Sequence, residues 1–189
     1  MLVVSGPSGS GKDSLVSALR RLEPDLAYST SVTTRAPRPG ELDGVHYHFV
    51  THERFRQLTA EDAFIETREY AGNLYGTPKK FVDDSLRSSI DVVMKPEVHG
   101  AMAMKRAYRR AALVFVTAPT PDVLAQRLME RSTESGDAIA RRLEIAQDEM
   151  QWIGSFDYLI VNETFEFALQ QLHTILMAER LRTTRVHEM

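Results

Sequence analysis

The segment Leu2-Val3-Val4-Ser5-Gly6-Pro7-Ser8-Gly9-Ser10-Gly11-Lys12-Asp13-Ser14 opens on a short apolar run, turns on glycine and ends on a lysine. From Gly6 to Lys12 it matches G-x-x-x-x-G-K, the core of a phosphate-binding loop. Glycines let successive backbone N–H groups converge on phosphate oxygens, the helix that follows adds its positive end, and the lysine supplies a mobile cation. The required context is in place, because an apolar strand pattern precedes the loop and leucines at helical spacing (Leu15, Leu19, Leu22) follow it. A dinucleotide fingerprint G-x-G-x-x-G fails, since Lys12, Asp13 and Ser14 come after Gly11.

The same alternation continues along the chain. Short apolar runs at 91–94, 112–116 and 158–161 read as strands, and helical patterns occupy 13–22, a stretch through Met102, Met104 and Ala107, 122–130, 137–150 and 165–181. Continuous apolar strands separated by helices imply an α/β fold, with right-handed crossovers and a parallel sheet core flanked by helices. A length of 189 residues suits one domain. With 23 Lys plus Arg against 26 Asp plus Glu, the net charge of -3 argues against general nucleic-acid binding, which needs massed cations. The absence of cysteine excludes disulfide frameworks, zinc knuckles and thiol catalysis. No signal-peptide pattern or membrane-length apolar run is visible, so a cytoplasmic protein with no membrane partner is expected.

The segment 28–77 breaks the rhythm. It is rich in Thr, Ser, Pro and Gly, and its strand patterns at 46–50 and 64–70 alternate with polar residues. It reads as an insertion carrying a small antiparallel piece. Its block Tyr28-Ser29-Thr30-Ser31-Val32-Thr33-Thr34-Arg35-Ala36-Pro37-Arg38-Pro39-Gly40-Glu41, followed by Asp43-Gly44 and Tyr47, closely resembles the acceptor-nucleotide segment of guanylate kinases. The resemblance continues through Phe64-Ile65-Glu66 and Gly72-Asn73-Leu74-Tyr75-Gly76-Thr77. It resumes at Arg127 to Arg131, Arg141-Arg142-Leu143 and Tyr158-Leu159-Ile160-Val161-Asn162. It implies a P-loop kinase with a core (1–30, 78–121 and 146–189), an inserted GMP-binding region (31–77) and a helical lid (122–145). The implied reaction transfers the γ-phosphoryl group of ATP to GMP or dGMP.

The resemblance also implies roles, and residue chemistry supports several of them. Gly6, Pro7, Ser8, Gly9, Ser10, Gly11, Lys12, Asp13 and Ser14 would hold the phosphates of ATP, and Asn162 would line its adenine. Arg35 and Arg38 can clamp a monophosphate while Tyr47 and Tyr75 donate hydroxyls. Guanine presents N1–H and an amino group side by side, which the one carboxylate of Glu66 can accept together; adenine would leave it half-paired. By resemblance Ser31, Gly76, Thr77 and Glu97 complete the GMP site, with Glu97 standing where the family usually has aspartate. Lys12 and Arg35, with Arg127, Arg131 and Arg142 from the lid, would neutralise the transferring phosphoryl group, whereas Arg141 faces solvent. Because the acceptor is a phosphate oxygen already largely ionised at neutral pH, no general base is needed. His46 and His48 alternate on a strand pattern, but a histidine pair without a third ligand reads as structural; the Met102-Met104 stretch and Trp152 read as packing.

Two positions depart from the family. The residue after the loop lysine is usually Ser or Thr, a ligand of Mg2+, and here it is Asp13, a carboxylate that could take the metal itself. Lys95, in Val92-Val93-Met94-Lys95-Pro96-Glu97, stands where an acidic residue is usual. This looks like a paired charge exchange, and Asp13 and Lys95 are expected to approach each other. The ending Gly-Lys-Asp-Ser also resembles ribose 1,5-bisphosphate phosphokinases, although such an acceptor would not need the Arg35–Tyr47 block or Glu66. A catalytically silent guanylate-kinase-like module is a third reading, disfavoured by the retained Lys12 and arginines.

Overall fold

The computed structural model describes residues 1–70, 72–131 and 136–183, with the side chains of 70, 130, 131 and 136–142 outside that description. Strand β1 (Leu2–Ser5) runs into α1 (Lys12–Leu22), followed by β2 (Ala27–Tyr28). The inserted segment forms β3 (Val32–Thr33), β4 (His48–Phe49), α2 (His52–Ala60), β5 (Phe64–Tyr70) and β6 (Asn73–Pro78). The chain returns through α3 (Lys79–Arg87), β7 (Val92–Met94), α4 (Val98–Ala107) and β8 (Ala112–Thr117). It ends with α5 (Pro121–Arg131), α6 (Gly136–Met150), a 3-10 turn (Ile153–Ser155), β9 (Tyr158–Val161) and α7 (Phe165–Arg180).

The main sheet has the order β2-β7-β1-β8-β9, and every pairing in it is parallel. The twofold alternation of a strand sorts the side chains of β1 between the two layers. Leu2 and Val4 pack with Leu15 and Leu19 of α1 and with Leu172 and Leu176 of α7. Met1 and Val3 pack on the other face with Val82 of α3 and with Ala101 and Met104 of α4. All six residues of β8 are buried, as the unbroken apolar run required. Among the described residues, no helix is long and apolar enough to cross a membrane.

The insertion forms a second sheet in the order β4-β3-β6-β5. Its β3–β6 and β5–β6 pairings are antiparallel, but β3 and β4 run parallel, so the expected all-antiparallel piece is a mixed sheet. The chain between β3 and β4 is long enough to loop back and restart in the same direction. The strand expected over 46–50 shrinks to His48–Phe49, which leaves His46 in the preceding loop, where its Nδ1 accepts from the Leu42 N–H at 3.0 Å. The two histidines therefore do not share a strand face. Helix α2 was not anticipated; Thr51 caps it by accepting from the Arg54 N–H at 3.1 Å, and Phe55 stacks on Phe64 at 4.7 Å.

Phe115 is fully buried in β8 and meets Phe156 edge-on, with ring centroids 5.0 Å apart. Phe115→Ala is expected to lower unfolding free energy by about 3–5 kcal/mol in urea titrations. A loss below about 1 kcal/mol would show that β8 is not the packed centre of the sheet.

Candidate active site

The site lies beyond the carboxyl ends of β1 and β7, where open α/β sheets place their ligands. After β1 the backbone turns through Gly6, Gly9 and Gly11 with φ of 133°, 85° and 91°. These are left-handed or rarer conformations that side chains resist. At Gly6 a Cβ would sit 2.0 Å from the Val116 carbonyl oxygen, and at Gly11 it would sit 2.3 Å from Nδ2 of Asn162. Nδ2 donates to the Ser10 carbonyl at 2.8 Å. The amide of Asn162 is thus a buried strut beneath the loop. The hydroxyl of Ser10 is buried without a hydrogen-bond partner.

A cleft of about 400 Å³ opens beside the loop. Of the expected residues it is lined by Ser8, Lys12, Asp13, Ser31, Tyr47, Glu66, Tyr75, Gly76, Thr77 and Glu97. Lys12 donates to the Pro7 carbonyl at 3.2 Å, and burial pulls its ammonium below the ordinary range against the opposing effect of Asp13. Glu66 accepts from the Thr77 hydroxyl at 2.8 Å; burial pushes its carboxyl up, with Thr77 and Arg68 holding it back. Helix α4 approaches Glu66 closely through Gly100, where a Cβ would meet the Glu66 Cδ at 3.6 Å.

Asp13 and Lys95 do meet, Nζ to Oδ1 at 2.6 Å. Burial pulls Lys95 down, but Tyr28 and Asp13 more than offset it and its pKa is raised. The charge exchange inferred from two positions far apart in sequence is therefore a contact in space.

Other expected residues stand off the cleft lining. Arg35 is paired with Glu41 at 2.8 Å, and Glu41 also accepts from the Arg38 backbone N–H at 2.7 Å. The Arg35 guanidinium lies over the Tyr47 ring, 5.3 Å from its centroid, so it waits at the rim beside two tyrosines of the cleft. Arg127 donates to the Asn162 carbonyl at 3.1 Å. The side chains of Arg131, Arg141 and Arg142 lie outside the described residues. Trp152, expected to be packed, is 36% exposed and meets His99 edge-on.

Sequence reasoning missed Arg68 and Glu149, which also line the cleft. Arg68 ion-pairs with Glu97 and lies over the Tyr75 ring at 5.3 Å. Glu149, near the end of α6, is pushed up by burial and held back by Lys12 and Arg68. The only sequence signal for Arg68 was its position two residues after Glu66. Among the described residues, no group of three metal-ligating side chains assembles.

A family model for guanylate kinase matches residues 1–179. A guanylate kinase of Desulfitobacterium hafniense (strain Y51) is 40% identical, over 98% of this chain and 92% of the relative. That of Escherichia coli (strain K12) is 41% identical over 98% of this chain and 90% of the relative. The crystal structure of guanylate kinase from Anaplasma phagocytophilum superposes with a TM-score of 0.81 at 32% identity, covering 98% of this chain and 88% of that one.

The Arg35–Glu41 pair yields a pH prediction. Arg35 holds the Glu41 carboxyl down to about 2 from an ordinary 4.5. A depressed carboxyl stabilises the fold fully above its unfolded value, and this contribution fades as pH falls through the folded one. Carboxyl-detected NMR titration should find the Glu41 midpoint near 2; a midpoint near 4.5 would mean the pair does not persist in solution.

Proposed function

Because the chain belongs to the guanylate kinase family, we propose that it transfers the γ-phosphoryl group of ATP to GMP or dGMP, giving ADP and GDP or dGDP. One observation carries this reading at the level of residues. A single cleft is lined both by Lys12 and Asp13 of the loop and by Ser31, Tyr47, Glu66, Tyr75 and Thr77 of the insertion. Donor and acceptor phosphates can thus lie end to end in one channel.

The parts act as follows. The loop from Gly6 to Ser14 holds the ATP phosphates, with Lys12 on the outer ones. Asn162 keeps the loop in shape and lines the adenine side. Arg35, Arg38, Tyr47 and Tyr75 bind the GMP phosphate, and Arg35 exchanges Glu41 for phosphate oxygens in doing so. Glu66 accepts from N1–H and the 2-amino group of guanine, supported by Ser31, Gly76, Thr77 and Glu97. Arg127, Arg131 and Arg142 close over the transferring group from a lid at 122–145. The remaining core (1–30, 78–121, 146–189) and the GMP region (31–77) hold the two substrates in line. The attacking phosphate oxygen is already ionised, so the rate comes from positioning, charge neutralisation and exclusion of water.

Mg2+ would enter with ATP and neutralise phosphate charge. Its chemistry suits a carboxylate beside phosphate oxygens and water, so Asp13 would hold it, sharing its carboxylate with Lys95. The cytoplasm, where both nucleotides occur, is the proposed location.

A coupled assay with ATP and Mg2+ tests this, offering GMP, dGMP, AMP and ribose 1,5-bisphosphate separately. GMP and dGMP should turn over well above AMP. Comparable AMP turnover would sink the role of Glu66, and activity on the sugar bisphosphate alone would select the other kinase. Lys12→Ala and Arg38→Ala should each lower kcat/KM, by roughly a hundredfold for Lys12, with unchanged unfolding curves. Full activity in either folded variant contradicts its assigned role.

A further inference from the structure

Arg68 lines the cleft beside Glu66 and Tyr75, and none of the roles assigned above falls to it. It lies two residues from Glu66 on β5, and both side chains line the cleft. The β5–β6 register sets Arg68 opposite Tyr75, and the guanidinium lies over that ring at 5.3 Å. Glu97, at the head of α4, ion-pairs with it. A guanidinium stacked on one side and ion-paired at one edge has few orientations left to it. It is half-buried, its side chain 30% exposed, and burial draws its pKa below the ordinary arginine value.

Guanine has two hydrogen-bonding edges that meet at C6. One carries the N1–H and 2-amino donors, which suit a carboxylate. The other carries the O6 and N7 acceptors, which a guanidinium fork matches in a bidentate manner. Adenine reverses the second edge in part, placing an amino donor where guanine has O6. A carboxylate and a guanidinium two residues apart on one strand present the complementary pair of groups side by side.

We propose that Arg68 is a specificity-determining residue that reads the O6/N7 edge of guanine while Glu66 reads the N1/N2 edge, with Glu97 and Tyr75 holding the guanidinium in place. The assignment rests on GMP being the acceptor. Arg68 also offsets the charge of Glu66 and Glu97, which would otherwise repel an anionic nucleotide.

Calorimetric titration with GMP and with 7-deazaguanosine 5′-monophosphate, which replaces N7 by C–H and leaves the N1/N2 edge intact, tests the proposal. The unsubstituted protein should bind the deaza nucleotide about tenfold more weakly than GMP. In Arg68→Met that ratio should fall to within about twofold, and Arg68→Lys, which keeps the charge without the fork, should give an intermediate ratio. Equal affinity of the unsubstituted protein for both nucleotides, or a tenfold ratio persisting in either folded variant, overturns the role of Arg68 and leaves GMP as acceptor. Failure of the unsubstituted protein to bind GMP at all overturns both. A purely structural Arg68 would weaken both nucleotides alike and leave the ratio unchanged, which also counts against the proposal.

Discussion

The conformation of the loop between β1 and α1 is the constraint on which the rest depends. Its backbone passes so close to β8 that any side chain at Gly6 would collide with the Val116 carbonyl. From beneath, Asn162 presses on Gly11 and binds the Ser10 carbonyl. The strands that supply these contacts, β8 and β9, are successive neighbours of β1 in one parallel sheet. The sheet thus acts as a jig that fixes a helix N-terminus and Lys12 at the mouth of a cleft. A loop free to adopt many shapes would lose the convergence of N–H groups that makes it an anion site.

Charge follows the same logic of placement. A chain with net charge -3 has no general attraction for polyanions, yet its cations near the cleft are concentrated and three of them have a local carboxylate: Arg35 with Glu41, Lys95 with Asp13, Arg68 with Glu97. These pairs hold buried or half-buried cations without isolating them, since an unpaired charge in such a place is costly. A nucleotide that enters competes with carboxylates already in position, so its phosphates must match the geometry and not merely the sign. Selectivity for a small substrate over a polymer follows from that competition.

Local features were legible in the sequence, and long-range ones much less so. The loop, β1, β8, β9 and helices α1, α5, α6 and α7 carry their own periodicity or motif, and they fell where expected to within a residue or two, whereas α3 had not been read from the sequence at all. Strands β3 and β4 are two residues each, too short to show alternation, and their parallel pairing depends on the path of the intervening loop. Helix α2 had a signal, Thr51 followed by Phe55, but a polar surface masked it. The Asp13–Lys95 contact was recoverable because two departures from a shared pattern compensated each other in charge. The Asn162 strut was not, since it joins residues 152 apart and requires the strand order. Arg68 escaped notice because its meaning depends on the hairpin register that sets it against Tyr75.

The central claim is that one cleft holds both nucleotides end to end, with the loop at one end and the guanine-reading residues at the other. A bisubstrate mimic with guanosine and adenosine joined 5′ to 5′ through five phosphates tests it most directly by calorimetry. The account predicts one molecule bound per chain, at least about a hundredfold more tightly than GMP alone. Binding no tighter than that of ATP by itself would mean the two halves of the cleft do not form a continuous site, and would contradict it.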